Sequence, residues 1–288
     1  MKVSVSSYSF AQYVRAGKMT QLECVLKAKE LGFDAIEFTD ISGENYEEQL
    51  ENAKKIRAEA DRLEMPINAY TIGANLYHET EEECEAEIAR LKKQLDIANI
   101  LGAKVMRHDV CYNLGDKGNS RSFGLMLPTI AKCARAVTEY AATLGIKTCS
   151  ENHGYIAQDS YRVESLFNAV NHDNYGLLVD FGNFVCVDEE PSRAVSRVAP
   201  YAVHVHIKDM LVREEPLPFC KSMTRGGNYF AGVAIGEGDV PVFKCLKIMK
   251  RAKYDGYVSL EYEGAEDCIV GISKGIKKIR EYLSLLEA

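Results

Sequence analysis

Four short apolar stretches of this sequence each end on a side chain able to hold a metal ion or move a proton. They are Thr148-Cys149-Ser150-Glu151, Leu177-Leu178-Val179-Asp180, Val203-His204-Val205-His206 and Val258-Ser259-Leu260-Glu261. Three carboxylates and one imidazole meeting in a pocket would repel one another unless positive charge sat between them, and one divalent cation supplies it simply. An oxygen-rich donor set suits Mn²⁺ first, then Mg²⁺ or Co²⁺, with Zn²⁺ also compatible. Taken singly, Glu151 or Asp180 could just as well cap the helix that follows, and His206 could be a packed core histidine. Four such endings together point to a site.

Something must carry these residues to one place. The steps from 151 to 180 and from 180 to 206 are 29 and 26 residues, each close to one strand-plus-helix unit, whereas 206 to 261 is 55 residues and must include a large loop. One junction recurs, a helix end followed by glycine and a strand, in Leu31-Gly32-Phe33, Leu101-Gly102-Ala103 and Leu144-Gly145-Ile146. Each glycine falls where a helix C-cap needs a left-handed residue, so repeated βα units are expected. Thr20 and Glu23 form a capping-box pattern. Residues 82–101 open on Glu82, Glu83 and Glu85 and carry Ile88, Leu91, Leu95 and Ala98 on one face. Further helices are expected near 122–144 and 266–286.

Strands are expected at about 3–8, 35–39, 67–71, 104–108, 146–151, 176–180, 202–206 and 257–261. Helices between strands imply a parallel sheet. Eight units in 288 residues favour a closed (β/α)₈ barrel, one α/β domain over 1–288, above an open doubly wound sheet, since no glycine-rich phosphate turn follows the first strand. All strand C-termini of a barrel open on one face, where the four residues would meet.

Composition excludes other classes. The net charge of −7 and the lack of any Lys/Arg run argue against a nucleic-acid partner. No apolar run approaches the ~20 residues of a membrane span, and the N-terminus has no signal-peptide core. Nine scattered cysteines, odd in number and never spaced C-x-x-C, read as reduced, packed thiols. Cytoplasm is the expected compartment.

The sequence resembles the sugar-phosphate isomerase/epimerase superfamily, the xylose-isomerase-like TIM barrels, over almost its whole length. The resemblance rests on Glu151-Asn152-His153-Gly154, Asp180-Phe181-Gly182-Asn183, His204-Val205-His206-Ile207-Lys208-Asp209, Gly236-Glu237-Gly238-Asp239-Val240-Pro241 and Leu260-Glu261. It implies a cation held by Glu151, Asp180, His206 and Glu261, with Glu151 and Glu261 also acting as acid and base on opposite faces of a carbohydrate. The implied reaction is isomerisation or epimerisation through proton removal beside a carbonyl. A lyase acting on an inosose or 3-oxo-glycoside shares that first step. Two departures set the chain apart from ketose 3-epimerases: Asn183 replaces a usual His, and Ala157 a usual Glu. The superfamily's abasic-site endonucleases need more histidines than the six present, and a basic groove. A non-catalytic sugar-binding barrel is a further alternative, since fold does not fix function.

Other residues are candidates by position. His153 lies two residues past Glu151 and should share its side of the chain, so a substrate role is expected for it, as for Asn183. His204 is expected deeper, as a hydrogen-bonded core histidine. Of Arg107-His108-Asp109, ending the fourth strand, His108 is the expected substrate contact. Glu37, Lys208 and Asp209 are counted with it, and Tyr8 is a weaker candidate. Residues 209–238 are expected to close over the pocket as a lid, being too long for an ordinary connection. The chain is expected to form a homo-oligomer, or a hetero-complex if it is a lyase.

Overall fold

The structure is a computed structural model that describes residues 1–111, 122–218 and 222–287. Its first half runs β1 (Lys2–Ser6), α1 (Ala11–Arg15), α2 (Glu23–Glu30), β2 (Ala35–Thr39), α3 (Tyr46–Arg62), β3 (Ile67–Ile72), α4 (Glu81–Leu101), β4 (Val105–His108) and α5 (Phe123–Thr143). There follow β5 (Lys147–Glu151), α6 (Ser160–Val170), β6 (Tyr175–Asp180), α7 (Pro191–Val198) and β7 (Ala202–Ile207). The chain ends with β8 (Asp209–Arg213), β9 (Tyr229–Val233), α8 (Val242–Arg251), β10 (Tyr257–Leu260) and α9 (Cys268–Glu287). Strands β1 to β7 and β10 close into a parallel barrel in the order β1-β10-β7-β6-β5-β4-β3-β2.

The repeated glycine junctions behave as the sequence requires, with φ of +83°, +73° and +66° at Gly32, Gly102 and Gly145. Helix α4 begins with a full capping box between Thr80 and Glu83, and Leu91, Leu95 and Ala98 on its apolar face are fully buried. Strand β6 is buried at all six positions, as a strand between barrel interior and helical layer must be. Small polar side chains line the barrel toward its N-terminal end: Ser4 stands opposite Ser259 and accepts a bond from Asn68. Eight described cysteines are buried and free, and Cys220 lies outside the described residues. No helix among the described residues is long and apolar enough to cross a membrane.

The long segment after β7 is a ribbon. Strands β8 and β9 pair antiparallel from Asp209 opposite Val233 to Arg213 opposite Tyr229. Residues 219–221 of the expected lid lie outside the described residues. None of its described residues lines the cleft at the barrel mouth, which is walled instead by the segment after β1 and the ends of β2 to β5.

Candidate metal centre

Glu151 and Asp180 end β5 and β6, His206 is the fifth residue of β7, and Glu261 follows β10 directly. In register, Asp180 stands opposite His206 and His206 opposite Ser259. The Glu261 amide still donates to Ile207 O at 3.0 Å, extending the ladder by one residue. The four side chains converge, with one ligand atom from each lying within 4.8 Å of all the others. His206 Nδ1 is 3.8 Å from Glu151, 3.8 Å from Asp180 and 3.6 Å from Glu261. His206 Nδ1 and Asp180 Oδ2 are buried without hydrogen-bond partners. Asp180 Oδ2 has the Lys208 ammonium 3.4 Å away; unbonded buried polar atoms are rare, and these two facing further carboxylates fit a cation held by all four residues.

Glu37 lies on the far side of the His206 ring. It is fully buried, and its carboxylate accepts from His206 Nε2 at 2.9 and 3.0 Å and from His204 Nε2 at 2.5 Å. It does not line the cleft, so its expected contact with substrate is not made. His204 is the hydrogen-bonded core residue its position suggested.

Two permanent cations enter the cluster. Lys208 Nζ is 2.5 Å from Glu261, 3.1 Å from Glu263 and 3.4 Å from Asp180. Its stem packs so closely on Gly182 that a Cβ there would fall 2.3 Å from Lys208 Cγ. Arg107 donates to Glu151 through Nε at 2.6 Å and again through Nη2, and it lies 3.1 Å from Asp109. Five buried carboxylates (Glu37, Asp109, Glu151, Asp180 and Glu261) thus outnumber Arg107 and Lys208. Burial, only partly relieved by Lys208, pushes Asp180 up to about 7. Burial also disfavours charge on Glu261, yet Lys208 and His206 hold it well below the usual carboxylate range. For His206 burial favours the neutral ring, but Glu37 and Glu261 outweigh it and raise its pKa well above the ordinary value.

A pH dependence follows. A ligand must shed its proton to bind a metal, and both Asp180 and His206 hold theirs more tightly than usual. Mn²⁺ affinity should therefore fall as pH drops through about 7, with protons released on binding. Titration calorimetry in buffers of different ionisation heat measures that release. Affinity independent of pH between 6 and 8 would contradict it.

The other candidates divide by strand parity. Arg107 and Asp109 both line the cleft, whereas His108 is fully buried, its ring 6.3 Å from that of Tyr175, and lines no part of it. His153 lines the cleft and bonds Asp109 at 2.9 Å; burial would lower its pKa, but Asp109 raises it. Tyr8 lines the opposite wall. Asn183 donates to Glu151 Oε1 at 2.8 Å, and its backbone N–H binds Asp180 Oδ1 at 2.9 Å, so it braces two of the four residues. Asp209 is not brought to the cleft. Its carboxylate accepts backbone N–H bonds from Met210, Gly236, Gly238 and Val240, pinning the Gly-Glu-Gly-Asp loop. Gly238 permits that approach, since a Cβ there would meet Asp209 Oδ1 at 2.2 Å.

Sequence reasoning missed Arg107 and Asn152. Asn152 clamps β5 to β6 by donating to Asp180 O and accepting from Asp180 N. Asn152 could have been noticed as the polar residue directly after Glu151, and Arg107 by counting strand parity.

A closed parallel barrel with three carboxylates and an imidazole converging at the C-terminal ends of its strands has the layout of the barrel enzymes, whose active sites lie on that face. Residues 25–287 match the xylose isomerase-like TIM barrel family model, and the chain belongs to that family. Among curated relatives it is 26% identical over 240 residues to the uncharacterized protein YihM of Escherichia coli K12, a match covering 83% of this chain and 65% of YihM. It is 23% identical over 262 residues to an inosose dehydratase of Clostridium perfringens strain 13, covering 84% of this chain and 82% of the dehydratase. The solved structure of an L-ribulose 3-epimerase superposes with a TM-score of 0.75 at 14% identity, covering 99% and 95% of the two chains.

Proposed function

We propose that this chain is a cytoplasmic, divalent-metal-dependent carbohydrate isomerase or epimerase that removes a proton from the carbon beside a ketone. The convergence of Glu151, Asp180, His206 and Glu261, with His206 Nδ1 and Asp180 Oδ2 left without hydrogen bonds, carries this reading. A divalent ion, Mn²⁺ by the oxygen-rich donor set, supplies Lewis-acid stabilisation for negative charge on the carbonyl oxygen. Glu151 and Glu261 take and return the proton from opposite faces. Arg107 and Asn183 orient Glu151, and Lys208 orients Glu261. His153 and Asp109, on the cleft wall, bind substrate hydroxyls.

A lyase acting on an inosose or 3-oxo-glycoside is the second reading. Lys208 favours it: a buried ammonium beside Glu261 is placed to donate a hydrogen bond to a leaving hydroxyl. Similarity to inosose dehydratase and the departures at Asn183 and Ala157 support it as well.

Incubating the Mn²⁺-loaded protein in D₂O with keto-sugars, inososes and 3-oxo-glycosides tests both readings. Deuterium on the carbon beside the carbonyl is expected in an isomer or epimer, which favours the first reading; a dehydrated enone, whose carbon beside the carbonyl gives up its hydrogen and takes none back, favours the second. An isomer formed without deuterium uptake would mean hydride transfer between carbons, with the glutamates acting as ligands only.

A further inference from the structure

We infer that Glu37 is the positioning residue of this centre, fixing His206 with its proton on Nε2 and its Nδ1 lone pair aimed at the cation, while His204 braces Glu37 from the other side. The inference rests on the proposal that Glu151, Asp180, His206 and Glu261 hold a divalent ion. An ionised carboxylate only accepts hydrogen bonds, so each imidazole that meets it must donate. Both rings meet Glu37 through Nε2, His206 at 2.9 and 3.0 Å and His204 at 2.5 Å. In a neutral His206 ring the proton is thereby assigned to Nε2, and Nδ1 keeps its lone pair. Nδ1 is the buried atom without a partner, and it faces Glu151, Asp180 and Glu261. The two rings are nearly perpendicular, at 78°, so Glu37 is held along two directions and His206 cannot rotate without breaking both contacts.

Glu37, His204 and His206 could by residue type hold a second ion, but the spacing opposes it. Two ligands about 2.0 Å from one tetrahedral Zn²⁺ stand about 3.3 Å apart. The 2.5 Å between His204 Nε2 and Glu37 is a hydrogen-bond length. Glu37 therefore acts through His206 and touches neither ion nor substrate.

The test uses Zn²⁺, which is diamagnetic, on the chelator-stripped full chain. Long-range ¹H–¹⁵N correlation spectra of the Zn²⁺-loaded wild type should show His206 metal-bound at Nδ1 and protonated at Nε2. Glu37→Gln keeps the side-chain size but turns an amide donor toward one of the rings. It should weaken Zn²⁺ binding by about 10- to 100-fold, the usual range for a lost carboxylate behind a ligating histidine, with the far-UV spectrum unchanged. Glu37→Asp, which keeps the charge but falls short of the rings, should also lose affinity. Metal bound at Nε2, a folded Glu37→Gln with wild-type affinity, or two ions per chain would each overturn the inference. If Glu37→Gln does not fold, the wild-type spectrum decides. A wild type that takes up no divalent ion would instead refute the metal reading itself.

Discussion

Replacing Glu151 or Glu261 with glutamine should lower turnover by about 10²–10⁴, with a further loss from weakened cation binding, and should leave the barrel intact. Each side chain sits at a strand end and is nearly buried, and glutamine keeps its size while removing both the base and one charge. The two variants should differ in detail. In Glu151→Gln the new amide lies against Arg107, which then keeps Asp109 as its counter-charge. In Glu261→Gln, Lys208 keeps Asp180 and Glu263. One face of the substrate still has its base in each variant, so solvent-deuterium exchange should persist on that face after net conversion has stopped. Turnover, deuterium exchange and metal content measured on the same preparations separate the two losses. A variant with a full complement of metal and wild-type turnover would remove that glutamate from the chemistry.

The barrel was legible because its signals are local. A glycine that must adopt positive φ, an acidic first turn and an apolar strand with a ligand at its end can each be read within ten residues. The convergence of Glu151, Asp180, His206 and Glu261 followed from one more step, that barrel strands all finish on one face. What escaped depends on register, which is non-local. His108 was favoured over its neighbours, but β4 pairs with β5 so that Arg107 stands opposite Cys149, two residues before Glu151. Side chains alternate along a strand, so 107 shares the inward parity of 149 and 151, and 108 faces the helices. The same alternation separates Lys208, inward like 204 and 206, from Asp209, which turns to the Gly-Glu-Gly-Asp loop. For Glu37 the difference is depth: it points inward but meets His204 and His206 beneath the cleft.

The ribbon of β8 and β9 has a similar lesson. Glycines at 226, 227, 232, 236 and 238 marked the segment as unusual, but the pairing of 209–213 with 229–233 joins residues too far apart for a local pattern to reveal. A long insertion between β7 and β10 remains compatible with an ordered barrel because the ribbon satisfies its own backbone groups. It also rests on Asp209, directly after Lys208, so the ribbon's anchor and the cation beside Glu261 are consecutive residues.

Lys208→Met should lower the stability of the metal-free protein by about 3–5 kcal/mol, the usual cost of removing one partner from a buried charge cluster. Methionine fills much of the space of the lysine stem that packs on Gly182, so the loss is chiefly electrostatic. Without Lys208, Glu261 loses its 2.5 Å partner and Asp180 its 3.4 Å partner. The sign with pH follows from Glu261. Despite burial, Lys208 and His206 hold its folded pKa below the unfolded value, so its contribution is present above pH ~4.5 and fades as pH falls toward the folded pKa. The gap between wild type and variant should thus be widest near neutrality and narrow in acid. A divalent cation draws on the same oxygens, so the variant's more negative site should bind Mn²⁺ more tightly than wild type does. By linkage, saturating Mn²⁺ should shrink the stability gap by the same free energy as that gain in affinity. Urea unfolding with chelator and with Mn²⁺, beside calorimetric affinities, checks both sides of the cycle. An equal gap in the two conditions would mean that Lys208 and the cation do not share Asp180 and Glu261, and that the centre lies elsewhere in the cleft.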